Sequence, residues 1–186
     1  MAELISKSPL DGRAPAEIGA AWLSEIVAAP ITCVAPFRQR QAEADEVLRS
    51  ALGLGFPEPG VVIASAQARC VWSGREQAFL IGAAPPAQLA ASALVTNITD
   101  GWAMLRLGGD AAEDVLARLV PVDLRARIFA PGRIVRSELA QMMALIRRTE
   151  DDFEIMVMRS FADSAWSELQ SAMESVAARP RTAGRP

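Results

Sequence analysis

The sequence predicts an α+β fold, a single two-layer domain built from two related β-α-β-β-β-α halves in which helices cover one sheet face. Three observations carry that prediction. Apolar residues pass twice, in the same order, between the two-residue alternation of strands and the roughly 3.6-residue spacing of helices. A Pro-Gly turn, in FPEPG and again in FAPG, marks the same point of each half, where the chain leaves a helix and enters a strand. The separations between equivalent positions are nearly constant: 68 residues from Val47 to Val115, 72 from Pro59 to Pro131, and 74 from Phe79 to Phe153. Short loop insertions, such as the one around Leu124–Ile128, account for the drift.

The elements follow in order. Residues 1–29 read as a polar arm and a short helix over 17–29, with Ile18, Trp22 and Ile26 at four-residue spacing. The first half, 30–95, opens with the strand ITCVA and continues with a helix carrying Val47, Leu48, Ala51 and Leu52 on one face. The strands VVIAS, RCVWS and AFLIG follow, and a short helix over 86–94 closes the half. The second half, 96–178, opens with WAMLRL. Its helix, DAAEDVLARLV, repeats the apolar spacing at Val115, Leu116, Leu119 and Val120. Asp110 with Glu113, and Ser160 with Asp163, have the spacing of helix N-caps. Strands IVRSEL, QMMALIR and FEIMVM come next, and in the last of these Phe153, Ile155 and Val157 alternate with Glu154, Met156 and Met158. A final helix places Ala162, Trp166, Leu169, Met173 and Val176 in one stripe. The tail, 179–186, has almost nothing apolar to anchor it and reads as disordered.

Composition narrows the chemistry. The chain has 186 residues, of which 51% are hydrophobic, so it can form a sizeable core. A net charge of −3 with no basic stripe gives no reason to expect nucleic acid as a partner. There is no histidine and no tyrosine, and Lys7 is the only lysine. Histidine is the usual general base near neutral pH, and lysine is needed for Schiff-base chemistry. The chain is therefore poorly equipped for amine oxidation or most hydrolysis on its own. Cys33 and Cys70 form no CxxC pair and lie in apolar strand-like runs, where buried, reduced thiols are expected. Zinc needs about four ligands, which this composition does not readily supply. No GxGxxG opens a helix after a strand. Leu107–Gly108–Gly109–Asp110 precedes a helix, but Asp110 puts negative charge where a phosphate would bind. No run of about 18 apolar residues suggests a membrane-spanning helix, and the N-terminus lacks a basic region followed by an apolar one. The expected location is cytoplasmic.

From residue 96 to 173 the chain resembles the gamma subunit of bacterial heterotetrameric sarcosine oxidase. The resemblance lies in the ordered run DGWAMLRL, a Gly-x-Asp-Ala helix opening, VLARL, PVDLR, FAPGR and RSFADSAW. LGFPEPG in the first half resembles the family more loosely. Thr96–Asn97–Ile98–Thr99 stands where the family has a Thr-Asp-x-Ser-like run. The resemblance implies a fold similar to the folate-binding module of glycine-cleavage aminomethyltransferase and of a tRNA-modifying GTPase. It also implies a non-catalytic gamma subunit in a complex that demethylates sarcosine to glycine, releases hydrogen peroxide and passes a one-carbon unit to tetrahydrofolate. FAD, FMN, NAD, zinc and tetrahydrofolate would then belong to alpha, beta and delta partner chains, with none held by this one. A stand-alone folate or one-carbon-binding module is the competing reading.

No catalytic, cofactor-binding or metal-binding residue is assigned. The residues singled out are candidates for a subunit interface: Trp102, Arg106, Asp123, Arg125, Met156, Met158, Arg159 and Trp166. The two tryptophans suit either the core or a partner chain, and Arg106 suits a subunit contact or a ligand carboxylate. Asp123 and Arg125 suit a local turn pair or an interface anchor. Met142, Met143, Met156 and Met158 read as a soft, outward-pointing apolar face on adjacent strands, and Arg147–Arg148 as a solvated pair at a hairpin end.

Overall fold

In a computed structural model, residues 7–27 and 29–179 are described. The first six residues of the expected arm, Ala28 of the expected first helix, and 180–186 of the expected tail fall outside them. The elements are β1 (Ala16–Ile18), β2 (Ala21–Ile26), β3 (Ile31–Pro36), α1 (Gln41–Leu52), β4 (Val62–Ala64), β5 (Arg69–Gly74) and β6 (Gln77–Ile81). These are followed by β7 (Ala93–Asn97), β8 (Trp102–Gly108), α2 (Ala112–Leu116), β9 (Ile134–Leu139), β10 (Met142–Arg148), β11 (Asp152–Met158) and α3 (Ala162–Ala177). Short 3-10 turns span Ala87–Ala91, Thr99–Gly101 and Arg159–Phe161.

The strands form two antiparallel sheets, one in the order β1-β2-β8-β11-β10-β9 and the other in the order β4-β5-β6-β3-β7. The orders β9-β10-β11-β8 and β4-β5-β6-β3 are the same arrangement written in each half. The fifth strands are exchanged. β2 precedes the first half but pairs with β8 of the second, whereas β7 precedes the second half but pairs with β3 of the first.

The expectation of two layers is corrected to four. One face of the larger sheet packs on α2 and α3 through Leu105, Leu107, Ile155, Val115, Trp166 and Leu169. One face of the smaller sheet packs on α1 through Val34, Leu80, Ala44 and Leu48. The remaining faces meet each other, with Ile31, Val71, Phe79 and Ile81 of one sheet against Met104, Ile134, Leu145 and Met156 of the other. Both sheets are apolar on both sides, and stacking them buries the second side of each. The two Pro-Gly turns lock this arrangement reciprocally: the Val62 N–H donates to the Gly132 carbonyl, and the Ile134 N–H donates to the Gly60 carbonyl, each at 3.1 Å. Gly60 and Gly132 take φ of +74° and +80°, which a side chain would strain.

Other expectations change as well. The helix expected over 17–29 is the β1–β2 hairpin, turned at Gly19 with φ +62°. Trp22, Ser24 and Ile26 lie on one face, and Leu23 lies in the helix-side core. Trp22 crosses β8 so closely that a Cβ on Gly108 would meet its ring at 2.3 Å. The helix expected over 86–94 is a 3-10 turn followed by β7. Asp110 and Ser160 do not cap their helices: those positions are held by Ala111 and Phe161, without a side-chain cap bond. α1 ends as a Gly-capped helix, and its Asp45 accepts hydrogen bonds from Arg49 and from the Phe56 N–H, each at 2.6 Å. In the Thr96–Thr99 run, the Asn97 side chain accepts from Thr99, whose hydroxyl accepts from the Ile31 N–H at 2.9 Å. This ties the connection between the halves to the first strand of the smaller sheet.

Two methionines of β11 separate buried from exposed packing. Met156 is 4% exposed between the sheets, and Met158, two residues on, is 48% exposed. Met156→Ala is expected to lower the unfolding free energy by about 2–5 kcal/mol, and Met158→Ala by less than about 0.5 kcal/mol. Urea denaturation followed by circular dichroism measures both.

Candidate functional site

Strand alternation brings the ionisable groups of the interior together. On β11, Phe153, Ile155 and Val157 enter the helix-side core, which turns Glu154 toward the opposing sheet. Register sets its neighbours: Glu154 lies opposite Arg106 of β8 on one side and Arg147 of β10 on the other. Arg69 of β5 reaches it from the other sheet. The Arg147 Nη1 donates to Glu154 Oε2 at 2.9 Å, Arg69 Nη2 lies 3.1 Å from the same oxygen, and Arg106 Nη2 lies 3.4 Å from Oε1. Arg106 Nε is also 3.5 Å from Asp152 Oδ2.

The geometry fits the energetics of buried charge. Glu154 is only 5% exposed, and a carboxylate taken out of water is tolerated when paired and hydrogen-bonded. Three guanidiniums more than neutralise it. The buried Nε atoms of Arg69, Arg106 and Arg147 have no hydrogen-bond partner among the described residues. Burial pushes the Arg69 guanidinium below its ordinary value, with the Glu154 charge opposing that shift. Cavities flank the cluster on two sides. One, of about 380 Å³, lies against Arg69, Arg147, Ile26, Ile81 and Met104. The other, of about 440 Å³, lies against Arg106, Arg147 and the Thr149–Asp152 turn.

The expected interface residues divide into four groups. Met156 and Trp166 are buried within the chain, so neither offers surface to a partner. Trp166 sits in the helix-side core with the Arg13 guanidinium 5.4 Å from its ring, and Arg13 also pairs with Asp163. Trp102 is half-buried, edge-on to Phe79 at 5.2 Å, and Arg106 belongs to the Glu154 cluster. Asp123 and Arg125 form the local turn pair, with Arg125 Nε donating to Asp123 Oδ1 at 2.8 Å. That bond holds the exposed Asp123 carboxyl well below the usual range. Met158 and Arg159 remain partly or wholly exposed at the end of β11, beside the exposed Phe161.

The methionines do not form one outward face: Met142 enters the helix-side core and Met156 the layer between the sheets. Nor are Arg147 and Arg148 a solvated pair. Strand alternation sends them to opposite faces, Arg147 to Glu154 and Arg148 to Glu113, the Leu124 carbonyl and the Phe153 ring. Glu154 and Arg69, the centre of the cluster, escaped the sequence reading. The available signal was Glu154's place in period two with Met156, a polar residue in line with core positions.

Both cysteines are free thiols. Burial pushes the Cys70 thiol up to about 12 and raises the half-buried Cys33, so neither is primed for nucleophilic chemistry. Among the described residues, no three Cys, Asp or Glu side chains gather to hold a metal, and no helix is long and apolar enough to cross a membrane.

Residues 40–175 match the model of a family described as sarcosine oxidase, gamma subunit family. The sarcosine oxidase subunit gamma of Corynebacterium sp. (strain P-1) is 32% identical, over 72% of this chain and 71% of that one. A solved chain from the heterotetrameric sarcosine oxidase of Corynebacterium sp. U-96, in complex with pyrrole 2-carboxylate, shares the fold at a TM-score of 0.81. It is 24% identical, and the match covers 94% of this chain and 98% of that one.

The Glu154 cluster yields a stability prediction. Glu154→Gln leaves three guanidiniums facing a neutral amide, and is expected to lower the unfolding free energy by about 3–5 kcal/mol. Asp123→Asn, in the exposed turn pair, is expected to leave the denaturation midpoint unchanged. Parallel urea titrations of the two variants check this.

Proposed function

The chain belongs to the sarcosine oxidase gamma subunit family, and from that membership we propose that it works as the non-catalytic gamma subunit of a heterotetrameric sarcosine oxidase. The family match across residues 40–175 carries the reading. Its partners are the alpha, beta and delta chains of that oxidase. FAD, FMN, NAD, zinc and tetrahydrofolate belong to those partners, and the assembly oxidatively demethylates sarcosine to glycine in the cytoplasm. The side-chain inventory supports this division of labour. With no histidine or tyrosine and one lysine, the chain has few groups suited to proton transfer or to covalent work on an amine.

The two sheets support a second part of the proposal, that the halves are copies of one unit. They share one strand order, and the equivalent turns at Gly60 and Gly132 bond each other reciprocally.

The docking surface we assign lies where β11 runs into α3. Met158 is 48% and Phe161 40% exposed there, with Arg159 between them and Trp102 paired to Met158 across the sheet. Exposed apolar side chains next to an arginine and a tryptophan have the composition of an interface core. Met156 and Trp166, already enclosed, take no part.

Co-expression tests the assignment. The chain is expected to co-purify with the alpha chain, whereas alone, supplied with sarcosine, FAD and FMN, it should release no peroxide. Met158→Asp combined with Phe161→Asp should abolish co-purification, and Ile128→Asp, on a separate exposed loop, should preserve it. Peroxide turnover by the lone chain at the rate of a complete oxidase contradicts the role, and retention of the double variant contradicts the surface.

A further inference from the structure

The layer between the sheets carries more positive charge than its own carboxylates neutralise. Arg69, Arg106 and Arg147 converge on Glu154, and Asp152 approaches only Arg106. Arg69 and Arg147 therefore share a single carboxylate oxygen, Glu154 Oε2. Each guanidinium has five N–H donors, and in both residues the Nε is buried without a partner. These two arginines are the charged side chains on the 380 Å³ cavity, whose remaining wall is formed largely by Ile26, Ile81, Met104 and the Ala64–Ala68 loop. A cleft of this size is within the range that takes small molecules, and its wall is mixed, with Ser65, Gln67 and the two arginines beside Ile26, Ile81 and Met104.

We propose that this cavity binds a small carboxylic acid with an apolar body, its carboxylate held by Arg69 and Arg147 and its body against Ile26, Ile81 and Met104. Planar guanidiniums match carboxylates in charge and geometry. Glu154, behind the two arginines, holds their side chains in place and so lowers the entropy cost of capturing a second carboxylate. The acidic Glu150, Asp151 and Asp152 line the other cavity, so the two sides of the cluster differ in sign and the carboxylate enters on the Arg69 side.

The test uses the full chain with arginine side chains labelled for NMR, and benzoate as probe with benzamide as its uncharged counterpart. It reads binding to this chain alone, so its result is independent of whether the chain assembles into an oxidase. Benzoate is expected to shift the Arg69 and Arg147 Nε–Hε signals saturably, and benzamide to leave them in place. Arg147→Met should weaken benzoate binding about tenfold. Arg147→Lys, which keeps the charge beside Glu154 and hence the fold, should weaken it by a smaller factor, while Arg125→Met should leave it unchanged. A non-saturating response to benzoate, an equal response to benzamide, or unaltered affinity in both Arg147 variants overturns the proposal.

Discussion

Two sheets that are apolar on both faces need cover on both faces, and here each is the cover of the other. Three helices suffice for the outer sides. The inner sides meet as an apolar layer of Ile31, Val71, Phe79 and Ile81 against Met104, Ile134, Leu145 and Met156. Apolar burial alone does not fix how two sheets slide on one another, because it is non-directional. The Glu154 cluster supplies direction: its carboxylate lies between guanidiniums of neighbouring strands and one from the opposite sheet, so a slip of either sheet would strand a buried charge.

The backbone adds a second constraint. β2 and β7 each leave the half they precede and pair with the other. Neither half could keep its five-membered strand arrangement if the other unfolded, and the paired Gly60 and Gly132 turns close the remaining end. The consequence for function is one body that buries Glu154 and Arg148, keeps most of its other charged residues at the surface, and leaves a few large apolar side chains outside, Met158 and Phe161 among them. Such a body suits a subunit that presents a fixed surface to larger chains.

Much of this was legible in the residues. The constant offset between Pro59 and Pro131 anticipated the turns that bond each other, and the strands and main helices of both halves fall where period and turn chemistry put them. The misses have identifiable physical causes. Ile18, Trp22 and Ile26 recur every four residues as in a helix, but the even spacing of Trp22 and Ile26 equally suits one face of a strand, and Ile18 lies across the turn on the opposite, helix-side face; Gly19 at positive φ decides for the hairpin. β7 is five residues long and follows a turn that shares its composition. The four-layer stack was hidden because an apolar second face does not say what covers it. Arg147 and Arg148 looked solvated because they are adjacent near a hairpin end, although adjacency in a strand means opposite faces. Met156 and Trp166 have residue types common at interfaces, but both are enclosed within the chain. Family resemblance carried the functional reading, and no catalytic constellation was available to carry it instead.

Native-state hydrogen exchange tests most directly whether the inter-sheet layer and the exchanged strands make one cooperative body. Amides of β3 and β6 in one sheet and of β8 and β11 in the other should exchange with the same free energy, equal to that of global unfolding, and should respond identically to added denaturant. A smaller sheet that exchanges well ahead of the larger one, through its own separate opening, would contradict the account.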